Sequence, residues 1–121
     1  MAIIIKKRFF SQEKVMELIC EGSLRENEAH EMVRTAVHCA HEFELEFIAL
    51  NFSGLRFINS IGLTQMLSLK RQLTQKRIKL ALVSLSDAMK RVFEKTQFSE
   101  LFPCFENVNI LIEEKIHEKR R

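Results

Sequence analysis

One serine in the chain has a position that could support chemistry. Ser60 follows Asn59 and stands at the start of a helical pattern over residues 60–75. Its hydroxyl could cap that helix by accepting hydrogen bonds from free backbone N–H groups. The same position lies at the positive end of the helix dipole, where added negative charge is stabilised. Ser60 is therefore a candidate phosphate acceptor. From spacing alone, the alternative is a plain helix cap, with Gly62 permitting close packing of the first turn.

Motifs for catalysis and for metal binding are weak by comparison. A nucleophile would need a serine, cysteine or threonine near a histidine base. The chain has only three glycines, and it carries neither a Gly-x-Ser-x-Gly turn nor a glycine-rich phosphate loop. His38 and His41 could hold part of a metal site, but no further ligand stands at a recognisable spacing from them. We therefore expect no enzymatic activity, no cofactor and no metal.

The composition is typical of a globular intracellular domain. The chain has 121 residues, 46% of them hydrophobic, which suits one domain with one core. A net charge of +3 is too small to indicate nucleic-acid binding. Cys20, Cys39 and Cys104 stand in apolar surroundings, which predicts buried free thiols in a reducing compartment. Residues 1–10 lack the order of a signal peptide, and no apolar run reaches the length of a membrane span. We expect a cytoplasmic protein that does not insert into a membrane.

The apolar pattern predicts strands and helices arranged around one sheet. Strands are predicted at residues 3–10, 15–20, 47–50 and 80–83, with 104–105 as a candidate fifth. Two helices are predicted at about residues 26–41 and 60–75. A third is predicted to begin at Ser86 and a fourth at about Val108. A turn with Asn51, Ser53 and Gly54 is expected after the third strand. The basic residues of the first strand indicate a sheet edge, and the wholly apolar third strand indicates a central position with parallel neighbours.

These elements together predict one α/β domain over residues 1–121, with a mixed sheet of four to five strands flanked by four helices.

The segment from Leu50 to Leu63, L-N-F-S-G-L-R-F-I-N-S-I-G-L, resembles the signature of STAS domains, the anti-sigma factor antagonist family. The family pattern is an apolar strand, a short turn, and then Asp-Ser-x-Gly-Leu at the start of a helix. The segment Glu21 to Leu24 resembles the family's Gly-x-Leu after the second strand. Residues 79–93 resemble its later strand, turn and helix. The resemblance covers nearly the whole chain and implies a small STAS-like domain with a mixed sheet.

The resemblance also implies a switch protein that is not an enzyme. Family members that act on sigma factors bind an anti-sigma factor that is also a serine kinase, and this kinase phosphorylates the serine of the Asp-Ser pair. The matching residue here is Ser60. The unphosphorylated antagonist holds the anti-sigma factor and frees the sigma factor, and a phosphatase resets the switch. The implied partners are therefore an anti-sigma factor with serine kinase activity and a phosphatase.

Three residues depart from the family pattern. Asn59 stands where phosphorylated members usually have Asp, Arg25 where many have an acidic residue, and Asn51 where Asp is common at the strand end. The charge around Ser60 is therefore less negative than usual. Two functions stay open: an anti-sigma factor antagonist controlled by phosphorylation, and a STAS interaction module without phosphate in a transport or signalling complex.

The predicted partner-binding surface is the start of the 60–75 helix together with the loop after the second strand. Ile61 lies off the inward-facing stripe of that helix, and an exposed apolar residue at such a position is a reasonable anchor for a partner. The expected contact residues are Ser23, Leu24, Arg25, Asn59, Ser60, Ile61, Gly62, Leu63 and Gln65.

Overall fold

Five strands of the described part of the chain form one mixed sheet, and their order in space follows their order in the sequence. The computed structural model describes residues 3–119. The strands are β1 (Ile4–Phe10), β2 (Val15–Leu24), β3 (Phe47–Ile58), β4 (Lys79–Val83) and β5 (Cys104–Phe105). β1 pairs with β2 antiparallel and every later pair is parallel, in the order β1-β2-β3-β4-β5. The predicted edge position of the first strand and the central, parallel position of the third are both confirmed.

Four α-helices within residues 3–119 cover the two faces of this sheet unequally. They are α1 (Glu26–Glu42), α2 (Ser60–Gln75), α3 (Asp87–Lys95) and α4 (Val108–Lys119), and a short 3-10 helix, Phe98–Glu100, follows α3. α1, α2 and α3 pack together on one face, over a core that includes Leu18, Leu50 and Leu82. Successive strand residues point to opposite faces, so Ala49 and Ala81 contact the buried side of α4 instead. The predicted α/β class, with a mixed sheet flanked by four helices, is confirmed.

The third strand is much longer than predicted. The predicted turn at Asn51, Ser53 and Gly54 is wrong, because β3 continues through these residues to Ile58. Polar residues and glycine disfavour a strand locally. Pairing with a neighbouring strand overrides that preference, since Gly54 lies opposite Glu21 of β2.

The second strand is also longer than predicted, because it pairs with the extension of β3. Ser23 and Leu24 lie in β2 and not in a loop, with Leu24 opposite Ile58. The register shifts between Gly22 and Ser23, and Gly22 has a φ of 125°. Glycine adopts that backbone conformation without a steric penalty, which allows the irregularity in the strand. As a result β2 and β3 end side by side.

The start of α2 is capped by Asn59. Asn59 Oδ1 accepts a hydrogen bond from the backbone N–H of Gly62 at 2.8 Å, and Asn59 itself has extended backbone angles. The capping role predicted for Ser60 is therefore wrong, because Ser60 is already the first helical residue. The backbone N–H of Asn59 donates to the carbonyl oxygen of Leu24 at 3.2 Å. This bond ties the start of α2 to the end of β2.

Gly62 permits that close approach. A Cβ atom at this position would lie 2.6 Å from the carbonyl oxygen of Leu24 and 2.9 Å from Cγ1 of Ile58. Both distances are shorter than real Cβ contacts, and one of the two neighbours is backbone. The close packing predicted for Gly62 is confirmed.

The cap assignment predicts a difference between two adjacent alanine substitutions. Asn59→Ala should lower the free energy of unfolding by about 1 kcal/mol, because it leaves the Gly62 N–H without its cap acceptor. Ser60→Ala should change it by less than about 0.5 kcal/mol, as is usual for an exposed side chain. Urea denaturation followed by circular dichroism measures both. A loss for Ser60→Ala as large as that for Asn59→Ala would contradict the assignment.

The packing at Gly62 predicts a second pair of variants. Gly62→Ala should lower the free energy of unfolding by about 1–3 kcal/mol, because the added methyl group forces the backbone of Leu24 or the start of α2 to shift. Gly54→Ala is the matched control, since a Cβ there would meet mainly the exposed side chain of Glu21, at 2.8 Å from its Cγ. That side chain can rotate away, so Gly54→Ala should be milder in the same denaturation experiment. Equal losses would show that the Leu24 contact does not constrain α2.

Candidate functional site

Ser60 presents its hydroxyl at the exposed start of α2. Because Asn59 makes the cap bond, the hydroxyl has no structural task, and within residues 3–119 Ser60 Oγ has no hydrogen-bond partner. The backbone carbonyl of Ser60 accepts from Thr64 Oγ1 at 3.0 Å, which is an ordinary contact inside the helix. The first turn of α2 contains no acidic residue. A phosphate on this hydroxyl would therefore meet free helix N–H groups and no like charge from its own turn.

Two exposed apolar side chains stand close to Ser60 in the chain. Ile61 is 43% exposed and Phe57 is 42% exposed. The exposure of Ile61 agrees with its predicted position off the inward-facing stripe. Phe57 lies outside the predicted contact set, since a turn at residues 51–54 gives no basis for placing its side chain. The sequence gives one indication that Phe57 belongs to the contact surface: a large aromatic residue stands directly beside Arg56, shortly before the helix begins.

Arg25 lies next to the start of α2, at the N-cap position of α1. Its backbone N–H donates to Glu28 Oε1 at 3.2 Å. Its guanidinium carbon lies 4.8 Å from the centroid of the Phe57 ring, within cation–π range. Arg25, Phe57, Ser60 and Ile61 are all exposed and lie at the same end of the sheet. We call these four residues the α2-start surface.

The other predicted contact residues lie beneath or beside this surface. Ser23, Asn59 and Gln65 are half-buried, and Leu24, Gly62 and Leu63 are buried. Leu24 and Gly62 make the close contact between β2 and α2, so they hold the surface in place from below. The structure therefore exposes three of the nine predicted contact residues, Arg25, Ser60 and Ile61, and leaves the other six half-buried or buried.

The charges around the α2-start surface are nearly balanced. Arg25 and Arg56 line one groove with Glu21 and Glu28, and Glu26 adds a carboxylate in the first turn of α1. Asn59 contributes no charge. These groups carry three negative and two positive charges, and none of the acids belongs to the first turn of α2.

Asn51 belongs to a polar cluster around a buried carboxylate. Glu17 is only 2% exposed. Asn51 Nδ2 donates to Glu17 Oε2 at 3.0 Å, and Arg8 Nη1 donates to Glu17 Oε1 at 3.4 Å. Asn51 Oδ1 accepts from the backbone N–H of Ser53 at 3.0 Å and from its hydroxyl at 2.8 Å. An amide suits this position because it donates on one side and accepts on the other.

The cysteine thiols are poor candidates for nucleophilic chemistry. Burial raises the pKa of Cys20 to about 12, and desolvation also raises the pKa of Cys39 and of Cys104. All three thiols therefore stay protonated at neutral pH. Cys20 and Cys39 are buried as predicted, but Cys104 is exposed. The prediction that Cys104 is buried is wrong, because β5 has two residues and lies at the sheet edge. The residue is therefore exposed, although its thiol is partly shielded and donates to the carbonyl oxygen of Phe102 at 3.4 Å.

The described part of the chain holds no evident metal site. No group of three or more histidine, cysteine, aspartate or glutamate side chains within residues 3–119 is arranged to hold a metal ion. His38 and His41 are both exposed on α1, and the ring of His41 lies 3.3 Å from Lys76 Nζ. Among the helices of residues 3–119, none has the length and apolar character needed to cross a membrane.

The same fold occurs in several proteins of known structure. The anti-sigma factor antagonist SpoIIAA, in its unphosphorylated form, is 20% identical with a TM-score of 0.66, over 97% of this chain and 98% of that chain. SpoIIAA of Bacillus in its phosphorylated form is 17% identical with a TM-score of 0.62, over 98% of this chain and 100% of that chain. The Thermotoga maritima protein TM1081 is 18% identical with a TM-score of 0.78, over 97% and 95%. A sulfate transporter family protein from Wolinella succinogenes is 13% identical with a TM-score of 0.71, over 86% and 88%.

These likenesses show a shared fold, and a fold alone does not determine a function. No curated protein matches the chain in sequence. The sequence model of the STAS domain matches residues 8–110, which is most of the chain. The chain therefore belongs to the STAS domain family.

Proposed function

We propose that this STAS domain is a cytoplasmic switch protein of the anti-sigma factor antagonist type. In this proposal residues 1–121 act as one domain that binds a kinase-type anti-sigma factor, and phosphorylation of Ser60 controls the binding. A phosphatase reverses the modification. The role is one of binding and not of catalysis.

The observation that carries the proposal is the free hydroxyl of Ser60. It is exposed at the first residue of α2, while Asn59 makes the cap bond in its place. Modification of this hydroxyl therefore breaks no hydrogen bond within the described residues. The solved structures of SpoIIAA in unphosphorylated and phosphorylated forms support a switch on this fold.

The α2-start surface supports partner binding. Phe57 and Ile61 each expose roughly two-fifths of their surface, 42% and 43%. Complete burial of such a side chain stabilises a complex by about 1.5–3 kcal/mol, so burying the exposed part contributes a fraction of that. Arg25 beside Phe57 adds a cation that suits an acidic rim on the partner. A partner with an apolar pocket and nearby carboxylates fits this surface.

Phosphorylation would act on the complex and not on the fold. A phosphate adds about 1.5–2 negative charges at neutral pH. At the start of α2 this charge is compatible with the folded domain. Inside an interface built around a neutral hydroxyl, an unpaired dianion would be strongly destabilising. An increase of about 1.4 kcal/mol in the free energy of binding already lowers affinity tenfold.

A second function has one specific observation in its favour. Asn59 is neutral, and no acidic residue stands in the first turn of α2. If a kinase requires an anion beside the acceptor serine, Ser60 would never carry phosphate. The domain would then act as an interaction module in a transport or signalling complex. The likeness to a sulfate transporter family protein is compatible with that role.

Phosphorylation at Ser60 is the first outcome to measure. Intact mass spectrometry of the protein purified from its own host should show a fraction with one added phosphate, and phosphatase treatment should remove it. Incubation with ATP and the host's kinase-type anti-sigma factor should add it again. Ser60→Ala should stay unmodified in every sample. Absence of phosphate on the wild-type protein in both experiments would favour the interaction module.

Partner binding should depend on Ile61. We expect Ile61→Asp to lower the affinity for the host's kinase-type anti-sigma factor at least tenfold, because it places a charge in the apolar centre of the interface. Isothermal titration calorimetry measures the affinity, and a thermal melt checks the fold. Leu101→Asp is the matched control, since Leu101 is 41% exposed and follows the 3-10 helix. Equal affinities for the two variants would place the partner elsewhere on the domain.

A further inference from the structure

We infer that Arg25 binds the phosphate of phosphorylated Ser60 and so forms an ionic clamp between α1 and α2. The inference rests on the proposed function, because it concerns the phosphorylated state of Ser60. It assigns to Arg25 the role of an internal phosphate ligand in addition to contact with a partner.

Backbone pairing brings the two residues together. Leu24 and Ile58 lie opposite each other in the parallel pairing of β2 with β3. Each is followed by an N-cap residue, Arg25 for α1 and Asn59 for α2. Paired strands lie roughly 4.8 Å apart, and the Asn59 N–H to Leu24 carbonyl bond of 3.2 Å maintains this spacing beyond the last pair. Arg25 is therefore beside Asn59, and Ser60 is the next residue.

The side chain of Arg25 is turned toward β3, and no anionic side chain among residues 3–119 pairs with it. Its guanidinium carbon lies 4.8 Å from the Phe57 ring centroid, and Phe57 precedes Ser60 by three residues. None of the ion pairs formed within residues 3–119 involves Arg25. The group is exposed, so it can rotate from the ring to a phosphate at small conformational cost. Guanidinium donors match phosphate oxygens in a two-bond geometry that lysine cannot provide.

Other charged groups around this point do not substitute for Arg25. Glu26 and Glu28 stand in the first turn of α1, and Glu28 already accepts a hydrogen bond from the Arg25 backbone. Both carboxylates oppose a phosphate. Arg56 lines the same groove as Arg25 and Glu21, but it lies within β3, four residues before Ser60, whereas Arg25 follows Leu24, which is bonded to Asn59. α2 contributes no acid in its first turn. A favourable field at Ser60 therefore depends on Arg25.

The clamp has a consequence for the α2-start surface. When the guanidinium moves to the phosphate, the surface loses its free cation and Phe57 loses the group stacked on it. A partner that binds Arg25 through carboxylates would lose that contact as well as meet the new charge. One modification then removes an attraction and adds a repulsion.

Phosphorus NMR of a protein with genetically encoded phosphoserine at position 60 tests the clamp. The second pKa of a phosphoserine is about 6, and a bound cation lowers it by favouring the dianion. Arg25→Gln should raise this pKa by about 0.3–0.7 units, the range expected for an exposed ion pair. Arg25→Lys should raise it by less.

Arg34→Gln is the matched control, because it removes the same charge from an exposed position on α1. Arg34 lies nine residues further along, about 13 Å by helix rise and so beyond a Debye length at physiological salt. Its effect on the phosphate pKa should stay below about 0.1 units. A shift for Arg25→Gln no larger than that for Arg34→Gln would overturn the clamp.

The outcome does not depend on a kinase, since the phosphoserine is introduced during translation. A dependence on Arg25, together with absence of phosphate on the protein from its host, would support the clamp and count against the proposed function. Phosphate on Ser60 in the host, together with an unchanged phosphate pKa in Arg25→Gln, would support the proposed function and overturn the clamp. Circular dichroism of each variant confirms that these exposed substitutions leave the fold unchanged.

Discussion

The hydrogen bond from Asn59 N–H to the carbonyl oxygen of Leu24 is the contact on which the site depends. It forms because β2 and β3 remain paired as far as Leu24 and Ile58, and because Gly62 has no side chain to separate α2 from β2. Two helices consequently begin side by side at one end of the sheet. Their first residues are exposed, while the residues just before them are fixed by backbone pairing. Ser60 is thus displayed on a rigid support.

The departures from the usual family residues have two different physical origins. The asparagine at position 51 is explained by a contact inside the domain, since its amide donates to the buried Glu17 carboxylate at 3.0 Å. An aspartate there would place a second carboxylate against Glu17 and would lose the amide donor, so the two like charges would repel. Asn59 has no such constraint, because Asn and Asp cap helices about equally well. The neutral residue at 59 and the cation at 25 therefore change the charge of the surface without a structural requirement.

Periodicity in the sequence predicts the helices and the apolar strands well, because their burial follows from local spacing. The bounds of α2, the buried run of β4 and the exposure of Ile61 all follow from it. The extension of β3 through Asn51 and Gly54 does not, since it depends on pairing with residues some thirty positions earlier in the chain. The exposed position of the Phe57 side chain cannot be predicted without that strand register. The sequence predicts the helix cap one residue too late, at Ser60 instead of Asn59. Asparagine and serine are both good N-caps, and only the extended backbone at Asn59 shows which of the two precedes the helix.

One charge at Ser60 can act in opposite directions on the fold and on a complex. Asn59 already occupies the N–H of Gly62, so a phosphate would have the N–H groups of Ser60 and Ile61 and the guanidinium of Arg25 as its donors. In the free domain, each of these donors would gain a phosphate oxygen as its hydrogen-bond acceptor. In a complex formed through the α2-start surface, the same donors would be covered or would face the partner, and the charge would lose water without gaining equivalent bonds. Under the proposed function, a phosphate at Ser60 would therefore stabilise the free domain and weaken the complex, so a single modification would separate the partners while the fold persists.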